Sequence, residues 1–288
     1  YAYSARVNSF FHIIEKVIYK ILSLSQKFER LVISLFSKLV FGKFNAFREY
    51  SFHLFPLSAY KKNEEGTNLA SEYKNYNEER HIYFSHNNYK AFSYFYDFKE
   101  SISLDKNAFL SIMEIGSGLF NFGSILSSHL DSFSYICIDL PNTALQGYLS
   151  AKENVDSDIE IFLPHHFNEF KLSTSKKKII FLIPSQLDDV DMKIDLLINH
   201  ESFSEMNIET VNSYLKKVNK LTKAGSLIFL VNRFSRLQSL DPTSLDYTNF
   251  EDYELQDYEV IVEKIDRFRS FFPVMKEYPN IFYIARKI

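Results

Sequence analysis

Two groups of residues have the types and spacing to act on a bound ligand. The first is in residues 111–123, SIMEIGSGLFNFG, where an apolar run is closed by Glu114 and followed by Gly116, Ser117 and Gly118. Glycines reach backbone angles closed to other residues and let a ligand approach the main chain. A helix beginning after them would present free N–H groups and a positive dipole end. That arrangement suits a nucleotide-like ligand. Asp139 follows Gly118 by 21 residues, the distance at which a nucleotide-binding sheet places the carboxylate that accepts ribose hydroxyls. The plain alternative is a surface Asp in the turn before Pro141; its register with the glycines favours the ligand role. The second group is in residues 193–206, KIDLLINHESFSEM. Asn199, His200 and Glu201 follow an apolar run there. Histidine has the intrinsic pKa of a general base. Glu201 or Glu205 would orient it, raise it or serve as the base instead, although Ser202 and Glu205 also have the spacing of a capping box.

The surrounding pattern shows what must position these groups. Residues 112–115 read as a buried strand, breaking into the glycine loop and then a helix over about 120–130. From residue 111 strands and helices alternate, which implies a parallel sheet covered on both faces. A second strand, 134–138, ends in Asp139, Leu140 and Pro141, and a helix follows over 142–153. Residues 158–170 hold a short extra strand. The third strand, 179–183, ends at Pro184, Ser185 and Gln186. The fourth has its apolar core at 196–198 beside the first strand, so Asn199, His200 and Glu201 emerge at the carboxyl edge, where open α/β sheets bind ligands. A helix over 209–221, a turn at Lys223, Ala224 and Gly225, and a fifth strand over 227–231 lead to Asn232 and Arg233. The pair 258–265 and 280–286 completes seven strands. His165 and His166 invite a metal reading, but adjacent residues of an extended chain face opposite sides and no Cys or spaced acids accompany them. A surface turn is expected there and no metal ligands are assigned.

Composition bounds the rest. The 288 residues are 46% hydrophobic and 24% charged, a globular balance, with room for one sheet domain and an appendage. Cys137 is the sole cysteine, so no disulfide forms within the chain and a reducing, cytoplasmic setting is expected. The longest uncharged run, 115–130, is broken by glycines and serines, so no membrane span is read. No secretory signal is visible. Residues 8–41 carry an apolar stripe at helical spacing that stops at Gly42. The first 50 residues have a net charge of +5, leaving −8 for the remainder. This is either a helical cap or dimer arm with solvated lysines or an amphipathic arm on anionic lipid at the inner membrane face. Residues 50–106 read as a connector or lid, with a loop at 63–68 and a helix near 89–98. His81, Tyr83, His86 and Tyr94 either stack on a sugar or simply pack. The division is thus 1–106 for arm and lid, and 107–288 for the sheet domain.

The run Glu114-x-Gly116-x-Gly118 resembles the first motif of class I S-adenosylmethionine-dependent methyltransferases. The usual third glycine falls at Phe120, and a dinucleotide fingerprint would need glycine at Asn121. The resemblance implies a Rossmann-like seven-stranded sheet, mostly parallel with its last strand antiparallel, preceded here by a helical extension. It also implies S-adenosylmethionine as cofactor and S-adenosylhomocysteine as product. The loop Glu114, Gly116, Ser117 and Gly118 would cradle the methionyl end, with Glu114 orienting the amino group. Asp139 and Leu140 would meet the ribose, Ser185 and Gln186 the adenine, and Asn199 would complete the cofactor set. The stretch IDLLINHESFSEMN, with a later strand ending VNR, is similar to a bacterial family of sugar O-methyltransferases with the pattern D-L-x-x-N-x-x-S-x-x-E-M. Asp195, Asn199, Ser202, Glu205, Met206, Asn232 and Arg233 match it. It implies methylation of a sugar hydroxyl of a surface glycan, glycolipid or precursor, with His200, Glu201 and Glu205 as catalytic candidates. A sugar or glycan acceptor is expected, and no nucleic acid. The family admits a divalent cation that no residue set here indicates, and a homo-oligomer or membrane contact through the arm stays open. Two other readings compete: an NAD-dependent oxidoreductase and a non-catalytic S-adenosylmethionine-binding scaffold.

Overall fold

The computed structural model describes residues 72–73, 75–76, 86–233, 248–266 and 280–288. The expected arm at 8–41, the loop at 63–68, and His81 and Tyr83 lie outside these residues. Helix α1 (His86–Ser101) carries Tyr89, Phe92, Phe95 and Phe98 at steps of three, all buried, so one face is apolar. That face packs on the sheet, where Phe98 stacks on Phe229 with ring centroids 4.7 Å apart.

The sheet follows from alternating elements: β1 (Leu110–Ile115), α2 (Asn121–Ser127), β2 (Phe133–Ile138), α3 (Pro141–Asn154), β3 (Glu160–Phe162), α4 (Phe167–Leu172) and β4 (Lys177–Leu182), then β5 (Ile194–His200), α5 (Ile208–Leu221), β6 (Thr222–Arg233), β7 (Tyr258–Ile265) and β8 (Asn280–Lys287). The spatial order is β3-β4-β2-β1-β5-β6-β8-β7. Pairings from β3 through β6 are parallel. β8 runs antiparallel to both β6 and β7, so it alone opposes the rest. This is the expected Rossmann-like sheet, with β1 at its centre and the carboxyl ends of β1, β2, β4 and β5 at one edge. The central strands are buried on both faces, which is why they read as continuous apolar runs. One core lies beneath α1, α2 and α3, and a second holds Phe203, Val211, Leu215 and Val218 on the opposite face.

Several boundaries differ from expectation. The sheet has eight strands among the described residues, because the short strand within 158–170 is real but stops at Phe162 and yields to a 3-10 turn, Pro164–His166, and α4. β5 runs on through His200. The turn expected at Lys223, Ala224 and Gly225 is a bulge inside β6: Ile194 pairs with Thr222 and Leu196 with Leu227, so the intervening β6 residues swing out of register, with Gly225 at φ 87°. Helix α2 has seven residues, Asn121–Ser127, and is shorter than the expected 120–130. No described helix is long and apolar enough to cross a membrane.

Phe120 stands where the resemblance expects glycine, and the backbone there is left-handed, φ 62°. Its ring turns into the core, fully buried, edge-on to Tyr135 and Phe181 at 5.1 and 5.5 Å. Gly123 makes the room, since a Cβ there would stand 1.9 Å from the Phe120 ring. The loop therefore keeps a glycine-like backbone shape with a bulky side chain, because the side chain leaves on the core side. Gly123→Ala should cost about 1–3 kcal/mol through overpacking, read as a melting temperature lowered by several degrees. An unchanged melting temperature would show that the ring does not occupy that space.

Candidate active site at the carboxyl edge

The loop after β1 is held by backbone and neighbours. Gly116, at φ 74°, donates its N–H to Ile138 O at 2.7 Å. A Cβ on it would meet Ser202 Oγ at 2.1 Å, so glycine is required by the close approach of the segment after β5. Gly118, at φ 54°, has nothing within 4 Å of the position a Cβ would take, so the space over the loop is open there. α3 closes the loop from one side, with a Cβ on Gly147 standing 2.7 Å from Gly118 O. The Gly118 N–H donates to Asp139 Oδ2 at 2.8 Å and the Leu140 N–H to Oδ1 at 2.7 Å. Two backbone donors thus fix the Asp139 carboxylate beside the glycine loop, half-buried and with lone pairs to spare. Leu140 beside it is 64% exposed. Ser117 is buried and Ser185 exposed.

Other expected contacts are placed differently. Gln186 folds back on its own turn, accepting from Ile183 N at 3.1 Å and donating to Pro164 O at 3.3 Å, so its amide is committed to main chain. Glu114 lies beneath the loop and is 2% exposed. Its carboxyl accepts from Tyr135 Oη at 2.8 Å, and burial, with the Asp139 charge adding and the Tyr135 bond opposing, pushes its pKa up to about 8. It presents no open carboxylate to a ligand's amino group. Asn199 is wholly buried and fully used. Its Nδ2 donates to Ile115 O at 2.7 Å and to Ser202 Oγ at 2.5 Å; its Oδ1 accepts from Phe203 N and Asn232 Nδ2 at 3.2 and 2.9 Å. It is a bracket behind the loop with no surface left for a cofactor. Glu205 is exposed. The capping box is not formed, because Ser202 Oγ donates to Ile115 O and α5 is capped instead by Asn207, which accepts from Thr210 N.

His200 and Glu201 do come together at the edge. The His200 ring is enclosed by Phe122, Phe229 and Tyr94, with centroids 4.5, 4.7 and 5.2 Å away, and its Nε2 is buried with no hydrogen-bond partner. Burial pushes its pKa down to about 3 against the Glu201 charge, with Lys90 adding to the effect. At neutral pH it is an uncharged imidazole and a weak base. Glu201 is a non-glycine residue at φ 66°, a strained conformation of the kind that clusters at functional sites. Its side chain is 25% exposed and pairs with Lys90 at 2.7 Å. Tyr94 Oη and Asn280 Nδ2 donate to its Oε1 at 3.0 and 3.2 Å. Lys90 and Asn280 were not singled out in the sequence. The signal for Lys90 was its i, i+4 spacing from Tyr94, which puts both on one face of α1; Asn280, at the start of β8, gave none.

Among the described residues no group of three or more His, Cys, Asp or Glu is placed to hold a metal ion. His165 and His166 sit in the 3-10 turn with ring centroids 3.8 Å apart.

No protein-family model matches the chain, and no curated protein does. Solved structures with a similar course include magnesium protoporphyrin IX methyltransferase from Synechocystis PCC 6803 with bound S-adenosylhomocysteine, at TM-score 0.43 and 10% identity over 89% of this chain and 99% of that one. Others are an S-adenosylmethionine-dependent methyltransferase from Methanosarcina mazei (TM-score 0.43, 12% identity, 64% and 94% of the two chains) and a cyclopropane synthase from Mycobacterium tuberculosis (0.43, 11%, 65% and 81%). At this distance none of these likenesses bears on chemistry, which rests on the geometry of the site itself.

Glu114 gives a test of this geometry. The folded chain holds its proton to about pH 8, whereas the ordinary value is 4.5. The folded state therefore binds more protons between these values, and the associated stability, full below about 4.5, is lost as pH rises through 8. Glu114→Gln stays neutral, so its melting temperature should vary less between pH 5 and 8 than that of the unaltered chain. Identical slopes would place Glu114 in water.

Proposed function

We propose that the chain is an S-adenosylmethionine-dependent O-methyltransferase acting on a sugar hydroxyl. The observation that carries this reading is the Asp139 carboxylate clamped by Gly118 N–H and Leu140 N–H beside the open space over Gly118. A nucleoside with a cationic tail fits these residues. Asp139 retains acceptor capacity for ribose hydroxyls, exposed Leu140 offers an apolar surface beside it, and the open space over Gly118 leaves the backbone there accessible. When bound, the cofactor supplies an activated sulfonium methyl. The sugar class is supported by the sequence resemblance of residues 195–206 with Asn232 and Arg233.

What remains for the protein is alignment and removal of the hydroxyl proton. Alignment supplies up to roughly 7–11 kcal/mol in favourable cases, and a base typically adds ~10²- to 10⁴-fold. We assign the base to Glu201 rather than His200, because burial leaves the His200 imidazole weakly basic and enclosed by aromatic rings, whereas the Glu201 carboxylate is partly open. Lys90, Tyr94 and Asn280 hold the Glu201 carboxylate at the end of β5.

Isothermal titration should show binding of S-adenosylmethionine and S-adenosylhomocysteine and none of NAD. Asp139→Ala should weaken S-adenosylhomocysteine at least tenfold, since charge-assisted bonds are worth roughly 1.5–3 kcal/mol each; unchanged affinity would remove Asp139 from the site. In an S-adenosylhomocysteine-release assay with neutral sugars, Glu201→Gln should lower turnover by ~10²-fold while cofactor affinity holds. Glu205→Gln should do nothing. Loss of turnover in His200→Ala with activity retained in Glu201→Gln would move the base to His200. Cofactor binding without turnover on any acceptor would favour a scaffold.

A further inference from the structure

A cavity lies where the starts of α1 and α2 meet the end of α3. It has a volume of about 290 Å³ and is lined by Asn87 and Asn88 at the start of α1, Asn121 and Ser124 of α2, and Ser150 and Asn154 of α3. That is near the lower end of small-ligand pockets, roughly 300–1,000 Å³. These six side chains are all amides or hydroxyls. Both residue types carry donors and acceptors, and although Asn154 Nδ2 donates to Ser150 O and Oγ, such a lining complements a ligand whose own groups do both. Among the described residues, no lysine, arginine, histidine or carboxylate lines the cavity. The remaining walls are Tyr76, Leu119 and Ile125. Leu119 is 44% exposed, and the Tyr76 ring, half-buried, lies 5.4 Å from Phe92. Flat apolar surface among amides and hydroxyls suits the C–H faces of a pyranose ring, as an amphipathic aromatic does generally.

The place of the cavity in the chain adds to its chemistry. Leu119 and Asn121 are one and three residues beyond Gly118, so a wall of this cavity begins directly after the glycine loop. We infer that the cavity is a binding site for a neutral saccharide. On the methyl-transfer reading above, and only on it, this saccharide is the non-reacting part of the acceptor glycan.

The test is backbone-amide NMR of the full chain titrated with the methyl glycosides of glucose, galactose, mannose and rhamnose, and separately with glucose 6-phosphate. At least one neutral glycoside should shift the Asn121 and Ser124 amides, with or without S-adenosylhomocysteine. The variant Asn87→Ala/Asn121→Ala, which alters one exposed and one half-buried residue, should weaken that binding at least tenfold while leaving S-adenosylhomocysteine affinity unchanged. No shift at these amides with any neutral glycoside overturns the inference. So does tighter binding of the phosphate, or binding indifferent to the double substitution. Failure of S-adenosylhomocysteine to bind while the glycoside shifts persist would instead sink the methyl-transfer reading and leave the saccharide site standing.

Discussion

The site depends on one buried amide. The glycine turn carries the chain away from β1 just past Ile115, and the Ile115 carbonyl receives Asn199 Nδ2 and Ser202 Oγ. Asn199 in turn accepts from Asn232 at the end of β6, and Asn232 accepts from Ser204 N and Oγ. Every capacity of the Asn199 side chain is filled in a buried region, where polar networks are strong when complete and costly when broken. The ends of β1, β5 and β6 are therefore fixed to one another. Asp195 does the same at the other end of the strand, accepting from Ser111 N and pairing with Lys223. The spacing of the D-L-x-x-N-x-x-S pattern is, in this chain, largely a spacing of brackets.

Around that bracket the ionisable groups divide by depth. Glu114 and His200 are both held neutral by burial, one below the loop and one under α1. Asp139 and the Glu201–Lys90 pair stand at the rim with part of their surface open. A neutral floor with charge only at the rim leaves fixed charges acting through less water than at an open surface. The fold produces this division because strand positions one residue apart face opposite sides: Asn199 and His200, adjacent in β5, enter different layers.

Much of the architecture was legible because its signals are local. Apolar runs bounded by glycine, proline and acids gave the strands, and the acid-glycine spacing placed Asp139 beside Gly118. What escaped depends on partners distant in sequence. Nothing near Asn199 tells that Asn232 and Ile115 will consume its amide, and nothing near Glu201 announces Lys90 from a helix 111 residues earlier. Gln186 looked free because its partner, Pro164 O, lies across a strand pairing. Phe120 read as a departure from a glycine pattern, since sequence gives the residue but not the side to which its ring turns. His200 has the right residue type for a base, and only its aromatic enclosure shows how far its basicity falls.

The bulge in β6 has a consequence of another kind. Residues 223–226 lie between two fixed pairings, Ile194 with Thr222 and Leu196 with Leu227, and Lys223, Ala224 and Gly225 are exposed. Because the alternation of a strand has period two, a one-residue insertion within a regular ladder would turn every later side chain to the wrong face. Here an added or lost residue can be taken up by the loop of the bulge itself. A change in the length of that stretch is thereby decoupled from the edge, and Asn232 would still meet Asn199 after a residue is added or removed there.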